Sequence, residues 1–106
     1  MKRVEAVVRV EKKWDVTDAL TKAGLPFTMH QVEGVGKQLG EKGVGEKHFK
    51  FSTLPKAIVI CYVEDGLVDR VKQIISEKAR TGERGDGIIV VSDVVSAARV
   101  RTGERL

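Results

Sequence analysis

Apolar and polar positions alternate from residue 2 to residue 10, with Val4, Ala6, Val8 and Val10 on one face and Glu5, Val7 and Arg9 on the other. That period of two predicts a strand. From about residue 12 the period lengthens. Trp14, Val16, Ala19, Leu20 and Ala23 recur at helical spacing and predict a helix over 14–23, which Gly24 and then Pro26 would stop. A partly alternating run at 27–35 predicts a second strand, and the continuous β-branched run at 57–63 a central one, ended by Glu64-Asp65-Gly66. Leu67, Val68, Val71, Ile74, Ile75 and Ala79 then mark an amphipathic helix, and 88–91 a short fourth strand. Beyond Ser92 the pattern is less regular, passing through Val94, Val95, Ala97 and Ala98.

Strand, helix, strand, loop, strand, helix, strand is the split βαβ order of the ferredoxin-like α+β fold, βαββαβ, with both helices on one face of an antiparallel sheet. The other face also carries apolar residues, among them Val7, Ile58 and Ile60. Subunits packing sheet to sheet would cover them, so an oligomer is expected. Between the second and third strands, 36–55 has four glycines and no periodic apolar face. Loops of this length in small domains are commonly functional. Lys37, Lys42, Lys47 and Lys50, with Lys56 directly after it, make it basic, and Glu41 and Glu46 only partly offset them.

Composition narrows the class. A chain of 106 residues has room for one domain, and 42% apolar with 32% charged residues is ordinary for a folded protein. The apolar runs are too short for a membrane span, the start at Met1-Lys2-Arg3 leads into a strand and not a signal-peptide core, and the expected compartment is the cytoplasm. One cysteine, Cys61, cannot form an internal disulfide and reads as a buried thiol. His30 and His48 have no ligand-like spacing, which argues against zinc. The net charge of +4 suits an anionic partner.

The chemistry concentrates in a repeat. Arg-Thr-Gly-Glu-Arg occurs at 80–84 and again at 101–105, and the first copy runs into Gly85-Asp86-Gly87. Glycines permit tight turns and close backbone approach, amides and hydroxyls donate hydrogen bonds, and guanidinium forks match phosphate oxygens. Each copy follows an apolar stretch, as loops displayed on a rigid scaffold do.

The chain resembles the PII signal-transduction proteins along essentially its whole length. The resemblance rests on residues 3–9, on Gly34-Val35-Gly36-Lys37-Gln38, on Leu54-Pro55-Lys56, on Ala79-Arg80-Thr81-Gly82 through Gly85-Asp86-Gly87, and on Arg99-Val100-Arg101-Thr102-Gly103-Glu104. It implies a homotrimer binding ATP or ADP, with AMP a further candidate, in the clefts between subunits. Gly36, Lys37 and Gln38 would stand at the root of a T-loop (about 36–55), and Thr81, Gly82, Gly85, Asp86 and Gly87 in a B-loop (about 80–87). Arg99 and Arg101 would reach in from a C-terminal loop (about 93–106), and Thr28 would help hold the adenine or ribose of the neighbouring chain. The resemblance also implies Mg and 2-oxoglutarate, Gln38 ligating the metal and Lys56 lying near the oxoacid. A target protein, transporter or metabolic enzyme, would be controlled through the T-loop.

Some positions depart from that pattern. Ile88 stands where many members carry a lysine, Glu83 where a lysine is common, and Ile60 where an acidic residue is frequent. These changes favour ADP or AMP in the competition with ATP and raise the alternative of a sensor of ADP, AMP or bicarbonate without a 2-oxoglutarate response. The T-loop has no tyrosine, since Tyr62 falls in a strand, so uridylylation of a loop tyrosine is not expected. The glycine-lysine-glutamine root and tyrosine-free loop point to a nitrogenase-linked or divergent branch. Two other classes are disfavoured. A phosphoryl-processing enzyme would need a nucleophile and base, and Asp86 between glycines reads as a turn former. A nucleic-acid module would need aromatics exposed on strands, whereas Trp14 falls in a helix and Phe49 and Phe51 flank the loop.

Overall fold

Four strands form one antiparallel sheet in the order β2-β3-β1-β4, and two helices cover one of its faces. The computed structural model describes residues 1–35 and 53–106. Its elements are β1 (Lys2–Arg9), α1 (Lys13–Lys22), β2 (Thr28–Gly34), β3 (Leu54–Val63), α2 (Val68–Ala79) and β4 (Gly87–Asp93), with single 3-10 turns at Val10–Lys12 and Asp65–Leu67. This is the ferredoxin-like α+β arrangement that the strand and helix order predicts.

Alternation divides the sheet cleanly. Val4, Ala6 and Val8 of β1 and Ala57, Val59, Cys61 and Val63 of β3 point to the helices, where Val16, Leu20, Val71, Ile75 and Ala79 meet them in one buried core. The opposite face pairs Val7 with Ile58, Glu5 with Ile60 and Arg3 with Tyr62, and on the other flank of β1 pairs Val7 with Ile88 and Glu5 with Val90. Among the described residues no helix covers that face, and Tyr62, Ile88 and Val90 are exposed on it.

Gly24, at φ +72°, closes α1, and the Leu25 amide donates to the Leu20 carbonyl at 2.9 Å while Leu25 itself packs into the core. A left-handed glycine with a buried residue behind it is a standard helix stop.

Several boundaries move. β3 begins at Leu54, so residues 54 and 55 leave the predicted loop. Pro55 is tolerated because the ladder reaches it only from β2, opposite Glu33, while the pairing with β1 starts one residue later at Lys56. β4 extends to Asp93, whose carboxylate pairs with Lys2 across the strands. Beyond β4, Ala98 bridges Arg105, and the Leu106 amide donates to the Ala97 carbonyl at 2.9 Å, so part of the irregular tail is a small hairpin.

Trp14 corrects the sequence reading. It was expected on the apolar face of the first helix but is 61% exposed, with the Lys13 ammonium 5.1 Å from its ring centroid. At the second position of α1 it precedes the turn that meets the sheet, and Val16 and Leu20 fill that contact instead. Leu67 likewise lies outside α2 and is exposed.

Candidate functional site

The loop at 80–87 starts where α2 ends. The Arg80 amide still donates to the Ser76 carbonyl at 3.1 Å, but the Arg80 backbone is already extended, and Gly82, Gly85 and Gly87 then take φ of +89°, +98° and +111°. L-residues with a side chain seldom adopt that region. The predicted turn chemistry is therefore used in full, with Gly87 doubling as the first residue of β4.

Asp86 organises the loop. Its carboxylate accepts from the Thr81 amide at 2.8 Å and the Gly82 amide at 2.9 Å, and also from the Thr81 hydroxyl and the Arg9 guanidinium. Desolvation by itself would raise this carboxyl, but the hydrogen bonds from Thr81, Gly82 and Arg9 outweigh it and hold the group well below the usual carboxylate range. Asp86 is thus a turn former, its carboxylate oxygens engaged by the loop it closes. The Thr81 and Gly82 amides are both turned inward to Asp86.

Two cations from the sheet reach the same loop. Arg9, at the end of β1 and only 8% exposed, sets Nε 3.1 Å from Asp86 Oδ1 and Nη2 2.8 Å from the Arg84 carbonyl oxygen. Lys56, its cross-strand partner on β3, donates from Nζ to the Gly85 carbonyl at 2.9 Å. Desolvation, and after it the Arg9 charge, push the Lys56 ammonium down, with Glu11 and Asp86 partly opposing them.

Beside this loop lies a cleft of about 280 Å³, lined by Val7, Val8, Ile88 and Ile89 and by Ser76, Arg80, Asp86 and Gly87. Of the sequence-predicted site residues, Asp86 and Gly87 line it and Thr81, Gly82 and Gly85 belong to the loop at its rim. Thr28 opens the edge strand β2 opposite Ile60, on the uncovered face and separated from β4 by both β3 and β1. Arg99 and Arg101 are exposed in the C-terminal hairpin. One chain does not gather all three into the cleft. Gly36, Lys37 and Gln38 lie outside the described residues, as do Lys42, Lys47, Lys50, His48, Phe49, Phe51 and Ser52.

The repeated pentapeptide builds the same local device twice. In the first copy the Glu83 amide donates to the Thr81 hydroxyl at 3.2 Å around Gly82, and in the second the Glu104 amide donates to the Thr102 hydroxyl at 3.1 Å around Gly103, at φ +73°. Only the first copy has an Asp86 to close on. Sequence reasoning passed over Arg9. It was one of several charged residues in its strand, beside Lys2, Arg3 and Glu5, and its partner stands 77 positions away.

Among the described residues no cluster of histidine, cysteine or carboxylate side chains could hold a metal ion. No helix among them is long and apolar enough to cross a membrane.

Comparison with known proteins identifies the family. Residues 1–104 match the family model described as nitrogen regulatory protein P-II. The chain is 41% identical over 105 residues to a protein named nitrogen fixation nifHD region GlnB-like protein 1 from Methanothermobacter marburgensis, covering 98% of this chain and 97% of that one. It is 43% identical over 105 residues, with the same coverage, to the protein of that name from Methanothermococcus thermolithotrophicus. It is also 41% identical over 107 residues to a nitrogen regulatory protein P-II from Microchaete diplosiphon, covering 99% and 96% of the two chains.

Proposed function

The chain belongs to the nitrogen regulatory protein P-II family of signal-transduction regulators, and from that premise we propose that it binds adenine nucleotide in clefts between subunits of a homotrimer and controls a target protein through residues 36–55. The observation that carries this reading is the 80–87 loop, closed on Asp86 and braced by Arg9 and Lys56 beside an open cleft. A phosphate chain needs closely approaching backbone and positive charge, and the glycines at 82, 85 and 87 and the Arg80 side of the cleft supply them. The uncovered sheet face, with Val7, Ile58 and Ile60 at its centre, supplies an apolar surface for trimer packing.

Nucleotide meets the Thr81, Gly82, Gly85, Asp86 and Gly87 loop, with Arg99 and Arg101 from the C-terminal segment and Thr28 from a neighbour completing the cleft. Gly36, Lys37 and Gln38 carry the signal into the 36–55 segment. Mg and 2-oxoglutarate join ATP through Gln38 and Lys56. The protein acts in the cytoplasm, and its target is a transporter or metabolic enzyme. A ligand shifts such a regulator only by its differential affinity for the two loop states.

One observation favours a second version. Ile88 opens onto the cleft 62% exposed, and it offers no ammonium to a third phosphate. That arrangement suits ADP or AMP, with bicarbonate as the accompanying signal and no 2-oxoglutarate response.

Isothermal titration with ATP, ADP and AMP, each with and without Mg, 2-oxoglutarate and bicarbonate, separates the readings. ATP affinity that tightens with 2-oxoglutarate and loses that response in Gln38→Ala supports the first. ADP or AMP preference with no 2-oxoglutarate effect supports the second, and absence of any nucleotide binding overturns both.

A further inference from the structure

The 80–87 loop does not hold its shape alone. From inside the loop come the Thr81 and Gly82 donors to Asp86, but the ties to the rest of the fold come from the sheet. Arg9 and Lys56 face each other across β1 and β3, where directly opposed like charges repel. Both turn toward the loop. Lys56 holds the Gly85 carbonyl, while the Arg9 guanidinium takes two points at once, the Asp86 carboxylate and the Arg84 carbonyl.

Two points two residues apart suit a planar fork, whose Nε and Nη2 donate in fixed and separate directions, whereas an ammonium must reach both from one atom. Arg9 is buried, and its Nε and Nη2 both end on the loop, so its contacts here serve the loop. We propose that Arg9 is the positioning residue of the anion-binding loop: it fixes Asp86 and the Arg84 carbonyl to the end of β1 and so holds the loop ready for phosphate without touching the nucleotide. The inference rests on the nucleotide-binding reading above. Its physical content is preorganisation, since a loop already ordered loses less conformational freedom when the ligand arrives.

The test is ATP titration of the full chain as wild type, Arg9→Met, Arg9→Lys and Arg70→Met, with backbone amide NMR of the ligand-free proteins. Arg70 is an exposed cation on α2, away from the loop, and controls for net charge. Arg9→Met should weaken ATP by about tenfold or more, in line with loss of charge-assisted contacts. It should shift the Thr81, Gly82 and Arg84 amides while leaving those of Val4 and Val59 in place. Arg9→Lys should recover only part of the affinity, and Arg70→Met should bind as wild type does.

ATP affinity of Arg9→Met equal to wild type, or shifts spread evenly over the sheet, would overturn the positioning role. Should Arg9→Met fail to fold, Arg9→Lys decides, and wild-type affinity there counts against the proposal. A wild type that binds no nucleotide brings down the functional reading and this inference together, whereas a wild type that binds while Arg9 variants are indifferent removes the inference alone.

Discussion

Gly87 and Val7 meet backbone to backbone: a Cβ at Gly87 would stand 1.7 Å from the Val7 carbonyl oxygen and 2.8 Å from its carbonyl carbon. The contact lies where β4 joins β1, and Gly87 also holds φ at +111°. Gly87→Ala must therefore displace the start of β4 as well as strain its own backbone. A loss of roughly 2–4 kcal/mol is expected. Gly82, whose Cβ would meet open space, bears only the backbone term of about 1–2 kcal/mol in Gly82→Ala. Urea denaturation of the two variants checks the order, and equal losses would contradict it.

Acid should loosen the loop through Asp86. Its carboxyl is depressed in the folded chain relative to about 3.9 in the unfolded one, so its contribution is complete above about pH 4 and is lost as the pH falls further. Asp86→Asn should be less stable than wild type at pH 7, and the gap should narrow on acidification below pH 4. Urea titrations at several pH values measure that gap, and a gap that stays constant would rule out the linkage.

Cys61 is fully buried between the sheet and the helices, and burial pushes its thiol up. In the native protein it should resist an aromatic disulfide reagent and react only in denaturant. Fast reaction under native conditions would show that the core opens more readily than its packing implies.

Ile58 sits at the centre of the uncovered sheet face, between Val7 and His30 in register. Because it faces away from the core, Ile58→Lys should leave the fold intact and, if the proposed trimer packs through this face, bring the mass in light scattering down to that of a monomer. An unchanged mass would place the subunit interface elsewhere.

Ile88 tests nucleotide choice. Ile88→Lys puts an ammonium at the mouth of the cleft, and ATP affinity should rise by about tenfold relative to ADP, within the 1–3 kcal/mol of a charged hydrogen bond. Calorimetry reads the ratio, and an unchanged ratio would separate Ile88 from the phosphate site.

Every strand and both helices could be read from the sequence because period is local: alternation sorts Val4, Ala6 and Val8 from Val7 and Arg9, and spacing of three and four sorts Val71, Ile75 and Ala79. The glycines of the 80–87 loop and the turn role of Asp86 were equally legible, since φ preference and short-range hydrogen bonding belong to neighbouring residues. Trp14 was misread because periodicity does not say where a helix first meets its sheet. Pro55 was assigned to the loop because only the offset of the two ladders shows which of its sides needs an N–H. Arg9 remained invisible as a site residue because its meaning lies in Asp86 and Arg84, which the antiparallel pairing of β1 with β4 brings to it from the far end of the chain. Local chemistry is written along the sequence, but a contact over such a separation exists only once the sheet has closed.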